Sequence, residues 1–420
     1  MTSPSISAPS QPKAALWAVL LLLVASVSIN YVDRGNLSIA APLLKDELAI
    51  TPSQLGILLS AFFWTYSLFQ VVSGWLVDQF DVNWIIAGGF LLWSAATAAT
   101  GLIRGFAVLI VLRLVLGMGE SVAYPCYAKI LARHFPEHRR GFANSLIDAG
   151  TKCGPALGTL AGGLLMARFG WRWFFIVLGL GSLLWLPLWF KWMPRGPGLA
   201  AQGTAKPPDI ADILSRPVAW ATFAGHFCGN YFFYFLLTWL PFYLVRERHF
   251  SMQAMASLGS LAYLVTAAAT TVAGAISDRA IAAGTSTTRV RKTCVIGGLG
   301  CATIVVGVTL LPDRTASMVL LLLACVSYGV FASSHWAITQ TLAGPLAAGK
   351  WAGLQNFVAN LSGVAAPAIT GFVIGATGHF FGAFAVAAAV ALSGALIYRF
   401  GLGPVEPQVW GQSASATQGV

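Results

Sequence analysis

Six ionisable side chains stand inside stretches of the chain that are otherwise apolar: Asp33 and Arg34, Arg113 and Glu120, Asp148 and Lys152. A carboxylate beside a cation, away from water, can take up a proton and so release the cation to another anion. Each such charge costs about 2.5–3.5 kcal/mol at a bilayer centre even on a lenient scale, so intramembrane charges mark proton relays and solute paths. Three acids meet three bases, and the set sums to zero. Arg113 and Glu120 lie seven residues apart, two helical turns, so they share a face, with Gly117 between them to admit a helix or a solute. Asp148 and Lys152, at i and i+4, could equally neutralise each other or serve a solute path. An ion-pair network that only glues helices is the competing reading of the whole set. Desolvation offsets most of what such pairs gain, so retention for a function is preferred.

Neutral polar groups recur in the same stretches. Asn30 and Tyr31 precede Asp33 and Arg34, and Tyr66 and Gln70 lie one turn apart. In the second half stand His226, Asn230, Tyr231 and Tyr234, then His335 and Trp336, then the amides Gln355, Asn356 and Asn360. Tyr and Trp commonly anchor membrane interfaces and amides commonly bridge helices. Three amides close together are harder to explain by packing, whereas His226 and His335 read as hydrogen-bonded structural groups. The first half therefore holds the charges, and the second offers hydrogen bonds to shape a solute site.

Composition fixes the elements that carry these groups. Hydrophobic residues make up 57% of the 420 and charged ones 9%; 25 Lys/Arg and 14 Asp/Glu are too few to cover a soluble fold of this size. Disorder, secreted disulfide scaffolds, coiled coils and nucleic-acid binding are excluded as the main class, and the net charge of +11 is scattered over short loops. A spanning helix needs about 20 apolar residues. Twelve such spans are expected, near 15–40, 53–77, 83–103, 107–131, 141–167, 172–193, 218–245, 253–276, 293–312, 316–341, 351–375 and 379–400. The first reads as a retained span and not a signal peptide. The long connection at 194–217, rich in Pro and Gly, divides them six and six. The expected organisation is a cytoplasmic tail (1–14), a six-helix bundle (15–193), a central linker (194–217), a second bundle (218–400) and a tail (401–420).

An echo supports two related halves: Gly74 to Asp78 after the second span, and Gly274 to Asp278 with Arg279 after the eighth. Glycine there should allow close helix approach, and the aspartates should cap a helix or join a charge network. Fifteen Lys/Arg lie on the side of the termini against seven on the other, which places termini and linker in the cytoplasm. The six cysteines, Cys126, Cys153, Cys228, Cys294, Cys301 and Cys325, have no metal-ligand spacing and read as small apolar residues. With no phosphate-binding loop, zinc-protease motif or nucleophile elbow, neither ATP drive, cofactor, metal nor an enzyme is expected.

The twelve spans and the glycine–aspartate echo resemble the major facilitator superfamily. Narrower motifs are Asn30-Tyr31-Val32-Asp33-Arg34-Gly35-Asn36-Leu37, Phe63-Trp64-Thr65-Tyr66 with Gln70, and Arg113 through Gly117 and Gly119 to Glu120. Gly170-Trp171-Arg172-Trp173-Phe174-Phe175 and Gly353 through Gln355 and Asn356 to Asn360 follow. Together they resemble the anion:cation symporter family, which includes bacterial sugar-acid carriers, sialin and the vesicular glutamate transporters. The resemblance implies an all-α membrane protein of two pseudo-symmetric six-helix bundles that imports an organic anion with protons by alternating access. It implies Asp33 and Glu120 as the protonatable pair, tied to the gate by Arg113. Arg34 would meet the solute carboxylate, with Tyr31, Tyr66, Gln355, Asn356 and Asn360 around the solute; Lys152, which is not a family-wide feature, and Asn230 and Tyr234 join them from the reading of the residues. Gly74, Asp78, Gly274, Asp278 and Arg279 would belong to gates. Two departures stand out: the loop after Asp78 lacks the usual basic residues, and the fifth span carries a Gly154-Pro155 pattern of antiporters beside Lys152. A second cation there points to a dicarboxylate or uronate, or to exchange in place of symport.

Charge balance supports coupling. An incoming monoanion would leave a neutral site at −1, and one proton on either acid restores neutrality. The expected partners are thus a small organic anion such as a hexonate or hexuronate, protons and a lipid bilayer. The expected setting is a bacterial inner membrane, with the chain acting as a monomer. An exchanger, a uniporter or a transporter-like sensor is the alternative.

Overall fold

A computed structural model describes residues 13–135, 137–193 and 208–410. Residues 1–12 of the expected N-terminal tail (1–14), 194–207 of the expected linker (194–217) and 411–420 of the expected C-terminal tail (401–420) lie outside them. The described chain is helical throughout: α1 (Lys13–Glu47), α2 (Pro52–Gln79), α3 (Val82–Thr100), α4 (Phe106–Glu120), α5 (Ala123–His134), α6 (Glu137–Phe169), α7 (Trp171–Ser182) and α8 (Trp185–Trp192). After the short α9 (Ile210–Leu214) follow α10 (Pro217–Arg246), α11 (Met252–Ala282), α12 (Thr287–Ala302), α13 (Gly307–Leu310), α14 (Arg314–Ala332), α15 (His335–Thr377) and α16 (Phe381–Phe400).

Among the described residues, ten stretches are long and apolar enough to cross a membrane; α2 and α6 complete the twelve. The fourth span is α4 with α5, the sixth α7 with α8. α6 is the more polar of the two additions because it carries Asp148, Lys152 and several glycines. Leu68, Leu91, Leu184, Phe372 and Leu392 are exposed, as side chains facing acyl chains should be.

Local chemistry sets the helix ends. Thr51 and Gln54 form a reciprocal capping box at the start of α2, with Thr51 N donating to Gln54 Oε1 at 2.8 Å. Asp81 caps α3 and Asp313 caps α14, each accepting a main-chain N–H at 2.7 Å. α15 is really two spans: at Gly344 the backbone turns to φ +61° and ψ 179°, a region open to glycine, and the chain leaves one helix for the next. The sequence expectation of separate tenth and eleventh spans is met by that one residue.

The chain forms two compact units. One contains α1 to α8 together with Pro241–Ser260; the other contains α9, the rest of α10 and α11, and α12 to α16. In the first, α1 packs along α6, and α4 is held by α2 and α3. The α1–α6 seam is made by glycine: a Cβ on Gly154 would stand 2.6 Å from the Ser28 carbonyl oxygen and 2.9 Å from Tyr31 Cβ, and Gly150 and Gly158 meet Val27 and Val32. In the second unit α12 packs on α14 and α16. Residues 401–410 return along it, with Val405 N donating to Thr288 Oγ1 at 2.9 Å and Trp410 Nε1 to the Ala343 carbonyl at 2.8 Å.

One packing expectation needs correcting. Nothing described comes within 4 Å of a Cβ on Gly74, and only Ser333 Cβ, at 4.0 Å, approaches that of Gly274. Gly74 lies toward the end of α2, away from its tight crossing with α4. That crossing is sealed by Gly117, whose Cβ would meet the Phe62 carbonyl at 2.3 Å.

Candidate solute and proton site

Consecutive residues on α1 point about 100° apart, so Asp33 and Arg34 address different neighbours. Arg34 turns to α2 and α4. Its Nε donates to Glu120 Oε2 at 3.0 Å, and neither side chain is more than 1% exposed. The guanidinium carbon lies 4.3 Å from the ring centroid of Tyr66 and 4.5 Å from that of Tyr31, with Phe62 at 5.3 Å. This aromatic cage favours a cation while leaving its planar edge to a carboxylate. Tyr66 is buried and Tyr31 half-buried, and Tyr124 donates its hydroxyl to that of Tyr31 at 3.4 Å.

Asp33 turns to α3. Its Oδ1 accepts from Thr97 Oγ1 at 2.9 Å and from Asn36 Nδ2 at 3.0 Å. Arg113 reaches Asp33 through the main chain: its Nη1 donates to the Asp33 carbonyl oxygen at 3.4 Å, and its guanidinium lies 5.3 Å from the Phe62 centroid. Each acid therefore has one engaged oxygen. The other, Asp33 Oδ2 or Glu120 Oε1, is buried without a hydrogen-bond partner among the described residues. The two carboxylates are held by different donors, and each keeps one oxygen open.

Thr97 and Asn36 were missed as site residues. Asn36 carried a signal, an amide three residues from Asp33; Thr97, in a run of small residues, carried none.

The buried charge set is smaller than the sequence suggested. Lys152 Nζ meets Asp148 Oδ2 at 2.7 Å, but the two side chains are 26% and 62% exposed. Gly150, Gly154 and Gly158 pin the opposite face of α6 to α1, which turns the pair outward. Two acids and two bases remain buried, and they still cancel. Among the described residues, the buried Asp, Glu, Lys and Arg side chains all belong to this first unit.

The second unit holds the expected neutral groups. Tyr234 Oη donates to Asn360 Oδ1 at 2.8 Å, and Asn360 Nδ2 to the Asn356 carbonyl at 2.8 Å. Gln355 is fully buried, accepting from Thr339 Oγ1 at 2.7 Å and lying 3.3 Å from His226 Nδ1. The His226 ring is 4.5 Å from that of His335 and 4.9 Å from Trp336. Gln355 is thus occupied in joining helices, while Asn356 and Asn230 are half-buried and Gln70, on α2 of the first unit, likewise. At the helix end, Arg291 Nη2 donates to Asp278 Oδ1 at 2.7 Å and Arg279 is exposed. The Asp78 side chain lies outside the described set.

The profile of the Major Facilitator Superfamily matches residues 23–367. The chain belongs to that superfamily. As such it is a multi-pass membrane transporter and not an enzyme. Relatives of this superfamily member include the hexuronate transporter of Bacillus subtilis (strain 168), 29% identical over 402 residues, covering 92% of this chain and 95% of the relative. The D-galactonate transporter of Escherichia coli O6:H1 is 30% identical over 426 residues, covering 94% and 98%. A probable galactarate/D-glucarate transporter of Bacillus subtilis is 28% identical over 436 residues, covering 96% and 95%. A bacterial homologue of the human lysosomal transporter Spinster, solved in an inward-facing and occupied conformation, shares the fold with a TM-score of 0.81 at 16% identity, covering 93% of this chain and 97% of that one.

Proposed function

We propose that this major facilitator superfamily member imports a small organic anion, a sugar acid such as a hexonate or hexuronate, together with protons. The buried Arg34–Glu120 pair in its tyrosine cage carries this reading. Arg34 is the group to hold a carboxylate, and Glu120 is the carboxylate that occupies it at rest. A proton on Glu120 removes the competitor and frees Arg34 for the solute. A second proton site at Asp33 answers to a different set of donors, Thr97 and Asn36. Because the four buried charges cancel, a monoanion brings −1 and one proton restores neutrality; a second proton would make import electrogenic, at roughly 2.3 kcal/mol per charge per 100 mV.

Tyr31 and Tyr66 hydrogen-bond the solute from the first half, and Asn230, Tyr234, Asn356 and Asn360 from the second. Residues 15–193 and 218–400 are the two halves that rock about the site, with Asp78 and Asp278 at the gates. Relatives named for hexuronate, galactonate and galactarate support the substrate class, and the bacterial carriers among them support an inner-membrane setting. The Lys/Arg asymmetry of the loops supports cytoplasmic termini.

Uptake of galactonate and glucuronate into proteoliposomes tests the coupling. An inside-alkaline pH gradient should drive accumulation above equilibrium. Uptake indifferent to the gradient refutes symport, and uptake that requires trapped internal anion assigns exchange.

A further inference from the structure

Lys152 is the sixteenth of the 33 residues of α6, so it stands half-way along a spanning helix. Its Nζ is held at 2.7 Å by Asp148, and the Asp148 side chain is 62% exposed. A carboxylate at that depth cannot face acyl chains cheaply; intramembrane charges face protein or a water-filled cavity. The stripes of α6 say which applies. Leu157, Leu160 and Leu164 form an exposed apolar stripe suited to lipid, and Gly150, Gly154 and Gly158 form the seam with α1. Lys152 lies on a third stripe with Thr159 and Gly163, seven and eleven residues on. That stripe meets protein higher up: Thr159 abuts Gly259, and a Cβ on Gly163 would stand 2.5 Å from Ala256 Cβ. Lys152 therefore lies off both the leucine stripe and the α1 seam, and the exposure of its pair at mid-span suits a water-filled space.

The α1–α6 seam also fixes the offset between Lys152 and the arginine site. Gly154, two residues from Lys152, lies against Tyr31, whose ring carries the Arg34 guanidinium. The seam pairs Gly154 with Ser28 and Tyr31 and Gly158 with Val32, so Lys152 stands level with Ser28 and Arg34 follows about six residues, roughly 9 Å, further along α1. Each cation is occupied by a carboxylate of the protein, Arg34 by Glu120 in the dry interior and Lys152 by Asp148 in the open. The second pair is loosely held, since exposed i, i+4 pairs are weak.

We infer that Lys152 is a second carboxylate subsite, with Asp148 as its resting counter-ion, and that this protein is built for dicarboxylate sugar acids over monocarboxylates. The inference rests on the sugar-acid reading above. Arg34 takes one terminal carboxylate and Lys152 the other. Asp148 keeps Lys152 neutralised when the second carboxylate is absent and competes with it when present. The Lys152–Asp148 pair contributes no net charge, so a dianion needs two protons for neutrality, one for each of Glu120 and Asp33.

Affinities of the purified full-length chain for galactarate and galactonate, a diacid and a monoacid of the same configuration, decide the matter. The wild type should bind galactarate at least about tenfold more tightly, the scale of one charge-assisted contact. Lys152→Gln should erase that preference while leaving galactonate affinity within about threefold. Lys152→Arg should retain it and Asp148→Asn should widen it. Equal loss for both acids in Lys152→Gln, or no wild-type preference for the diacid, overturns the subsite. Should Lys152→Gln not fold, an Asp148→Asn variant with an unchanged ratio overturns it equally. Failure of the wild type to bind either acid sinks the sugar-acid reading itself.

Discussion

Replacing Glu120 by Gln separates binding from coupling. The wild-type carboxylate holds Arg34 Nε at 3.0 Å with both groups removed from water. Removing one partner of a buried pair costs about 3–5 kcal/mol, mostly from the charge left behind. Glutamine keeps a neutral acceptor of the same shape, so about 3 kcal/mol, the lower figure, applies to the empty protein. An anion that binds Arg34 relieves that penalty. If it recovers about 2 kcal/mol, its affinity in Glu120→Gln rises about 30-fold over wild type at neutral pH. The empty variant should therefore melt lower than wild type, and saturating anion should close most of the gap. In proteoliposomes the variant should exchange labelled for unlabelled anion, yet a pH gradient should no longer drive accumulation. Anion affinity that falls in Glu120→Gln, or accumulation that survives, refutes competition between carboxylates at Arg34.

Arg34→Ala should abolish binding, and Arg34→Lys should fail nearly as badly, because an ammonium lacks the planar fork that lies between Tyr31 and Tyr66; binding within tenfold of wild type in the lysine variant would remove stacking from the argument. Gly117→Ala places a methyl 2.3 Å from the Phe62 carbonyl oxygen and 3.0 Å from the Tyr66 main-chain nitrogen, prising α2 from α4 directly beneath the arginine cage. Overpacking of that kind costs about 1–3 kcal/mol. Melting of Gly117→Ala should fall while Gly300→Ala, with nothing within 4 Å, should melt as wild type.

Much of this was legible because a bilayer makes polar residues conspicuous. The spans followed from apolar length, and the four buried charges stood out against it. What escaped was rotational phase. Asp148 and Lys152 looked as buried as Arg113 in the sequence, and only the glycine seam of α6 on α1 shows that they point elsewhere. Phase likewise decided the amides: Gln355 and Asn356 are adjacent, yet one is locked between Thr339 and His226 while the other is half-buried. Thr97 was invisible because one hydroxyl among alanines becomes chemistry only when α3 presents it to Asp33. The glycine–aspartate echo located two helix ends but not the tight contact, since a Cβ on Gly74 would have room and one on Gly117 would not.

The one-residue offset between Asp33 and Arg34 has a thermodynamic consequence. Pointing about 100° apart, they turn one face of α1 toward Glu120 and another toward Thr97, the faces that the proposed function assigns to anion and proton. Arg113 joins the faces through the Asp33 main-chain carbonyl, so it supports the turn whichever protonation state Asp33 adopts. If Arg34 serves one carboxylate at a time, as proposed, whatever protonates Glu120 must raise anion affinity. By reciprocity the bound anion must raise the proton affinity of Glu120 by the same factor. Proton and solute then load as a unit without any direct contact between Asp33 and the solute. Coupling in this proposal sits in the competition at Arg34, and Asp33, whose side-chain donors Asn36 and Thr97 belong to α1 and α3, is the candidate for a second proton.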